Sequence, residues 1–377
     1  MTTFDVPQMC KAAVVVNEGP DFHLQVEEVN VPEPGPGQVL VKLNCTGLCG
    51  SDIHYMLNDL GFGKMSDLGV RSPGHEGAGI VVKLGEGVTD WKIGDRAGIK
   101  PIWDCCHNCE QCWTGSEQYC SKVTHTGIMC TGTYQEYVVS PALYTSRIPD
   151  GVPDEVAAPI MCSASTMHRA LKDSGLKPGN WLVFPGGGGG QLTDRPSRAM
   201  GMRAIVVDSG ATKKELALRL GAEDFIDFKE EGDIPGRIKK LADGIGAHGV
   251  LVTAWQSYKG THNPNTALGQ LQRLTEIDAV SFCGDRVGAI IMCIGLPPAH
   301  QNVIMGASPT WLALKKMRIQ GSIVGTMEDT AAALEYARRG LLKPIQEVRG
   351  LSAWPDSVQQ LKRGEVAGRV VIDFRKA

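Results

Sequence analysis

Trp181-Leu-Val-Phe-Pro-Gly186-Gly-Gly-Gly-Gly190 is a short apolar run that leads into consecutive glycines. This pattern is typical of a buried strand that turns into a phosphate-binding loop, because glycine lets the backbone turn with positive φ and approach a pyrophosphate closely. Arg203-Ala-Ile-Val-Val-Asp208 follows as a second buried strand. It ends in an acid about 20 residues after the loop, from which a carboxylate can hydrogen-bond a ribose. The two strands predict a dinucleotide-binding fold.

The pattern of alternating strands and helices continues beyond Asp208. A helix from Lys213 ends at Gly221, a residue suited to a C-terminal cap, and apolar strands follow at Gly249-Val-Leu-Val and Ala289-Ile-Ile-Met-Cys. Strand–helix alternation predicts a doubly wound parallel sheet.

The first part of the chain has a different pattern. Short strands with glycine-rich turns occupy residues 10–47 and 78–100, which indicates a barrel-like β domain. The tail at 366–374 is again β and is expected to return to this domain. The expected organisation is therefore an α/β plus β protein: a β-barrel domain at 1–165, a doubly wound domain at 166–326, and a return at 327–377.

Composition excludes several classes of function. The chain has 377 residues, a net charge of −3 and 42% hydrophobic residues, so no nucleic-acid or membrane partner is expected. The N-terminus lacks the basic and apolar regions of a secretory signal. Many of the 12 cysteines are closely spaced, which suits metal binding in a reducing compartment. A cytoplasmic protein is expected.

The strongest metal-binding pattern is a run of four cysteines, namely Cys106, Cys109, Cys112 and Cys120. Four thiolates on one compact loop, at about 104–121, can close a tetrahedron around a structural Zn²⁺. Four unrelated cysteines and an iron–sulfur site are the alternatives. Cys105 is expected to take no part.

A second set of candidate ligands is dispersed along the chain: Cys49, His75 with its neighbour Glu76, and Cys162. Taken singly, each could be an ordinary buried residue. Together, two thiolates and one imidazole leave a zinc position open for water or substrate, where the ion acts as a Lewis acid. Asp52 and Glu76 are placed to orient these ligands, and Glu76 is also a candidate ligand.

These motifs resemble the zinc-dependent alcohol dehydrogenases of the medium-chain dehydrogenase/reductase superfamily, in particular the microbial branch, whose members are commonly tetrameric. The resemblance rests on Thr46-Gly-Leu-Cys-Gly-Ser-Asp-Ile-His54, Gly74-His-Glu-Gly77, the four-cysteine run, Ala157-Ala-Pro-Ile-Met-Cys162 and Ala367-Gly-Arg-Val-Val371. It implies a GroES-like catalytic domain and a Rossmann NAD-binding domain. It also implies two zinc ions per subunit and a homo-oligomer, either a tetramer or a dimer.

The resemblance also implies roles for individual residues. Cys49, His75 and Cys162 are expected to bind the catalytic zinc, and the four-cysteine run the structural zinc. Ser51 is expected to take the proton of the alcohol, and His54 to pass it to solvent. The expected cofactor-binding residues are Gly186, Gly188, Gly189, Asp208, Lys213, Ile294, Val324 and Arg369. Asp208 is expected to select NAD over NADP.

Two segments depart from the family pattern. After the glycines, Leu192 stands where a glycine is expected, and Pro196 is expected to break a hydrogen bond inside the following helix, at a cost of about 3 kcal/mol. The segment from Trp255 to Glu276 is longer than the family's connection. Both are either true features or errors in the gene sequence.

The function expected from these features is reversible hydride transfer between a small-molecule alcohol and NAD. Two alternatives remain: a reductase of a specialised aldehyde or ketone, and a zinc-stabilised homologue with impaired dinucleotide binding.

Overall fold

The computed structural model describes residues 4–186, 194–257, 279–301, 309–342, 346–366 and 368–376. The chain divides into two compact units. One unit, here called the β unit, contains Met1–Ser165 and Val324–Ala377. The other, here called the α/β unit, contains Thr166–Ile323.

The β unit is built from mostly antiparallel strands. Its strands are β1 (Met9–Val16), β2 (His23–Asn30), β3 (Gln38–Gly47), β4 (Gly77–Leu84), β5 (Arg96–Ile99), β6 (Ile102–Asp104), β7 (Thr124–His125), β8 (Tyr137–Pro141), β9 (Ser146–Arg147), β16 (Gln346–Arg349) and β17 (Arg369–Asp373). The main sheet has the order β16-β17-β3-β4-β5-β9, and β8 also pairs with β3. β1 pairs with β2, and β6 with β7.

β3 organises this sheet. Its first half pairs with β8, with Lys42 opposite Tyr137, and its second half pairs with β17, with Gly47 opposite Val371. Most of its residues are buried, as expected of a strand with neighbours on both sides. Because β3 ends at Gly47, the chain that follows lies beside the start of β17, where Arg369 is located.

The core of the β unit explains why the C-terminal segment returns to it. Trp354 is completely buried and packs edge-to-face against Tyr134 and Phe374, with ring centroids 5.1 and 5.4 Å away. Val370 and Ile372 of β17 belong to the same core. Burial of each such side chain contributes about 1.5–3 kcal/mol to the stability of the fold. Several buried side chains therefore fix the C-terminal segment to the β unit.

The α/β unit contains a parallel sheet. Its strands are β10 (Trp181–Pro185), β11 (Arg203–Asp208), β12 (Asp224–Asp227), β13 (Gly249–Val252), β14 (Ile290–Cys293) and β15 (Arg318–Gly321). They are arranged in the order β12-β11-β10-β13-β14-β15, and every neighbouring pair is parallel. This order reverses direction at β10, the first strand of the unit, as in doubly wound dinucleotide-binding folds. The predicted doubly wound parallel sheet is confirmed.

Helices fill the connections in both units. They are α1 (Gly50–Leu57), α2 (Glu110–Trp113), α3 (Asp154–Pro159), α4 (Ser165–Ser174), α5 (Asp194–Ala199), α6 (Ala211–Leu220), α7 (Ile234–Leu241), α8 (Ala279–Phe282), α9 (Pro309–Leu314), α10 (Met327–Arg338) and α11 (Trp354–Lys362). A π-helical turn, Ile160–Ala164, joins α3 to α4.

In the described residues, α5 runs from Asp194 to Ala199 and includes Pro196. The residues directly before Asp194 lie outside the described residues, so the expected cost of Pro196 stays a prediction. Gly188, Gly189 and Leu192 lie outside the described residues, as does 258–278 of the second irregular segment.

Candidate active site

The four-cysteine lobe, comprising Cys106, Cys109, Cys112 and Cys120, is a compact thiol cluster. Its sulfur atoms lie within 4.8 Å of one another. The Sγ atoms of Cys106 and Cys112 are 3.9 Å apart, and those of Cys109 and Cys112 are 3.6 Å apart. A tetrahedral Zn²⁺ with Zn–S bonds of about 2.3 Å requires sulfur–sulfur distances of about 3.8 Å. The cluster therefore fits a closed zinc site.

Backbone donors favour the charged form of one of these thiols. The N–H groups of Cys106 and Lys122 donate to Cys120 Sγ at 3.5 and 3.3 Å. Burial on its own raises the pKa of Cys120, but these hydrogen bonds outweigh it and lower the pKa to about 7. Burial and hydrogen bonds with neighbouring thiols raise the pKa of Cys112, so this preference for thiolate belongs to Cys120.

Cys49, His75, Glu76 and Cys162 form a second cluster, here called the mixed-donor group. All four are buried, and one ligand atom from each lies within 4.8 Å of the others. Cys49 caps α1 directly after β3, His75 and Glu76 precede β4, and Cys162 lies in the π-helical turn. Such turns occur often at functional sites, where they redirect a side chain.

Asp52 fixes the orientation of His75. Its Oδ1 lies 2.8 Å from His75 Nδ1, while its Oδ2 accepts from the Cys49 N–H at 3.0 Å and the Tyr134 hydroxyl at 3.1 Å. Burial lowers the pKa of His75, but the charges of Asp52 and Cys49 outweigh it and raise the pKa well above its usual value. With Nδ1 facing Asp52, Nε2 is left for a metal.

Glu76 contributes a carboxylate oxygen that lacks a hydrogen bond. Its Oε1 accepts from Arg369, whereas Oε2 is buried and has no hydrogen-bond partner among the described residues. Burial raises the pKa of Glu76 to about 8, although Arg369 opposes this shift. A buried oxygen of this kind is costly unless a cation is nearby, so the group fits a divalent ion.

Because Gly47 has no side chain, the Glu76 carboxylate can lie against its backbone. A Cβ added at Gly47 would overlap Glu76 Oε2. The sequence analysis did not single out this glycine, although it lies two residues before Cys49. A glycine at the end of a strand and beside a ligand is the signal that could have identified it.

The thiols of Cys49 and Cys162 interact directly. A hydrogen bond from Cys162 lowers the pKa of Cys49 well below its usual value, and the same contact raises the pKa of Cys162. The contact thus favours the thiolate form of Cys49. Metal ligation requires both thiols to lose their protons.

Ser51 and His54 lie on α1, three residues apart. His54 is half-buried, with 19% of its side chain exposed, and its Nδ1 lies 2.7 Å from Asp59 Oδ1. Asn58, in the left-handed conformation, ends α1 and turns the chain so that Asp59 reaches back to His54. Sequence reasoning missed Asp59. An acid just after the C-cap of a short helix that carries a candidate relay histidine is the signal that could have found it.

Cofactor candidates lie at the carboxyl ends of strands in the α/β unit, where doubly wound folds bind ligands. Gly186 follows β10 with φ of +72°, and Ile294 follows β14. Asp208 ends β11, and its Oδ1 accepts from the Ser209 N–H at 2.7 Å and Lys213 Nζ at 2.8 Å. Val324 belongs to the β unit, where it packs against the apolar cluster that includes Tyr144.

Comparisons with known proteins identify the family. Residues 35–150 match the sequence family described as the alcohol dehydrogenase GroES-like domain, and residues 190–258 match the zinc-binding dehydrogenase family. An alcohol dehydrogenase of Schizosaccharomyces pombe is 39% identical over 376 residues, covering 98% of this chain and 99% of the relative. The chain belongs to the zinc-dependent alcohol dehydrogenases. Alcohol dehydrogenase 1 of Emericella nidulans is 34% identical, with 93% of this chain and 94% of the relative covered.

Solved structures agree in fold. Cinnamyl alcohol dehydrogenase from Sorghum bicolor has a TM-score of 0.78 at 25% identity, covering 97% of both chains. Acetophenone reductase from Geotrichum candidum, solved in complex with NAD, has a TM-score of 0.78 at 22% identity and covers 98% of both chains. The predicted family, the GroES-like and Rossmann fold class, the oxidoreductase class and zinc as a cofactor are confirmed. Among the described residues, no helix is long and apolar enough to cross a membrane.

Proposed function

We propose that the chain oxidises small-molecule alcohols with NAD⁺, reversibly, at a zinc ion held by Cys49, His75 and Cys162. The observation that carries this proposal is the mixed-donor group, in which four buried donors converge and one carboxylate oxygen of Glu76 lacks a hydrogen bond. Two thiolates and an imidazole leave a fourth position for substrate. When bound there, zinc supplies Lewis-acid polarisation of an alcohol or carbonyl oxygen.

Asp52, Glu76 and Arg369 maintain the site around these ligands. Asp52 contacts the His75 ring at 2.8 Å and the Cys49 N–H at the start of α1 at 3.0 Å, and the Tyr134 hydroxyl donates to it at 3.1 Å. Arg369 neutralises Glu76, so the buried carboxylate keeps its position beside the ligands. Mutation of charged groups that support metal ligands in this way typically lowers metal affinity or activity by about 10- to 100-fold.

Ser51 and His54 carry the proton. The Ser51 hydroxyl accepts the proton that leaves the alcohol, and His54 passes it to water from its half-buried position. Asp59 accepts a hydrogen bond from His54 Nδ1, which leaves Nε2 as the acceptor for the arriving proton.

Asp208 supports NAD as the cofactor, with NADP disfavoured. Its carboxylate ends the second strand of the parallel sheet and is held by Lys213 and by the Ser209 N–H. In this position a carboxylate hydrogen-bonds the ribose 2′-hydroxyl and repels a 2′-phosphate. Gly186 and the residues at 188–189 are assigned to the pyrophosphate, and Ile294 and Val324 to the nicotinamide side.

A cytoplasmic location and a homo-oligomeric state, tetramer or dimer, complete the proposal. The cysteines support a reducing compartment, because none of the 12, all in the described part of the chain, forms a disulfide. Light scattering of the purified protein gives the oligomeric state.

The testing experiment measures NAD⁺ reduction on a panel of alcohols and NADH oxidation on the matching carbonyl compounds. Activity in both directions, lost on removal of zinc and restored by zinc alone, is the expected result. A protein that holds zinc but neither binds nor reduces NAD⁺ would overturn the proposal.

A further inference from the structure

A third cluster of metal-binding side chains lies at the edge of the four-cysteine lobe. Asp104, Cys105 and His107 each bring one ligand atom within 4.8 Å of the other two. None of these residues belongs to the lobe or to the mixed-donor group. The cluster combines a carboxylate, a thiol and an imidazole, a donor set that suits Zn²⁺ and similar thiophilic cations.

The backbone is shaped to bring these side chains together. Asp104 ends β6, and its Oδ1 accepts from the Cys105 N–H at 2.9 Å. His107 has φ of +53°, the left-handed conformation, which costs a non-glycine residue about 1–2 kcal/mol. This turn folds the imidazole back over Asp104 and Cys105.

One nitrogen of His107 is close to both other donors. His107 Nε2 lies 3.9 Å from Cys105 Sγ and 2.8 Å from Asp104 Oδ1. In a tetrahedral site, a Zn–S bond of about 2.3 Å and Zn–N and Zn–O bonds of about 2.0 Å place the sulfur about 3.5 Å and the oxygen about 3.3 Å from the nitrogen. Shifts of about 0.5 Å bring the three atoms to these distances.

The surroundings favour a cation. Cys105 is buried, whereas Asp104 and His107 have side chains that are 36% and 37% exposed, so one side of the cluster is open to solvent. Lys100 is the nearby basic group, and burial lowers its pKa well below the usual value. The Asp104 carboxylate supplies negative charge at the open side of the cluster.

We propose that Asp104, Cys105 and His107 form a third metal site, which takes one Zn²⁺, Co²⁺ or Cd²⁺ ion and completes its coordination with water. The site is weaker than the other two because only one of its donors is a thiol and one face is exposed. This inference goes beyond the proposed function, since catalysis does not require the ion.

Metal titration of the intact protein tests the proposal. The purified chain is first dialysed against metal-free buffer and its retained zinc is counted; it is then titrated with Co²⁺ while the visible and near-ultraviolet spectra are recorded. We expect one further Co²⁺ per subunit, with a thiolate-to-cobalt charge-transfer band.

Two variants remove single donors of the third site. Cys105→Ser and His107→Asn should each lower the affinity for the further Co²⁺ at least tenfold. Asparagine is chosen because it tolerates the left-handed backbone of residue 107.

Cys130→Ser is the control, because Cys130 is a half-buried thiol outside all three clusters whose Sγ donates to the backbone carbonyl of His125 at 3.7 Å. It should titrate like the parent chain. Absence of a further ion in the parent chain, or unchanged uptake by both Cys105→Ser and His107→Asn, would overturn the third site. Failure of the parent chain to retain its first two zinc ions would instead contradict the proposed function.

Discussion

The four-cysteine lobe and the mixed-donor group each bring four donors within 4.8 Å, but they do so in different surroundings. The lobe draws its ligands from one short segment, 106–120, and three of its four cysteines are half-buried. The mixed-donor group collects residues from the end of β3, the start of β4 and the π-helical turn, and all of its members are buried.

The number and type of donors determine what each cluster can do. Four sulfurs at tetrahedral distances leave no position for substrate, so a zinc ion in the lobe stabilises the local fold. The mixed-donor group depends on the packing of the whole β unit and includes charged supports such as Asp52 and Arg369. Its geometry is therefore sensitive to small changes in neighbouring strands.

The largest expected effect comes from Cys49→Ala, which removes a ligand from the mixed-donor group. One zinc ion should be lost, and because the Lewis-acid contribution amounts to several kcal/mol, kcat/KM should fall at least about a thousandfold. Cys45→Ala, also a buried cysteine on the same segment, is the control and should keep both zinc and activity. Zinc analysis with steady-state kinetics measures both. Equal losses in the two variants would show that the effect is structural.

A smaller effect is expected for Gly47→Ala. The added methyl group overlaps Glu76 Oε2, so the carboxylate must shift beside the ligands. A displacement of about 1 Å at a catalytic site can lower the rate about a hundredfold, while zinc in the lobe should be unaffected. Gly321→Ala, at a glycine with open space around its Cβ position, is the control. Normal kinetics of Gly47→Ala would show that the position of the Glu76 carboxylate does not affect catalysis.

The smallest of these effects is expected for Asp59→Asn. Loss of the carboxylate frees the His54 ring, and kcat/KM should fall about tenfold, a fraction of what a general acid–base residue contributes. The decisive readout is a double-mutant cycle, because Asp59→Asn should have little further effect when His54→Gln is already present. Additive losses would mean that Asp59 acts independently of His54.

Sequence alone predicted the parts of this molecule that depend on local pattern. The lobe follows from cysteine spacing, and the parallel sheet from apolar strands such as Trp181–Pro185, which are buried on both faces. The mixed-donor group was predicted through resemblance, since nothing in the spacing of Cys49, His75 and Cys162 shows that they meet.

Other features depend on backbone geometry that a sequence does not display. Whether Pro196 removes a hydrogen bond depends on where its helix begins, which the residue pattern alone does not give. Asp59 reaches His54 only because Asn58 adopts a left-handed conformation. Cys105 was expected to take no part, and its approach to His107 likewise requires the left-handed turn at that residue.

The division of roles between the two four-donor groups is the central claim, and Cys112→Ser tests it most directly. Zinc per subunit and kcat are measured together on protein dialysed against metal-free buffer, at a temperature where circular dichroism reports a folded chain. The account predicts that one zinc ion is lost, thermal stability falls, and kcat is retained. Loss of kcat in a folded variant that still holds the zinc of the mixed-donor group would contradict it.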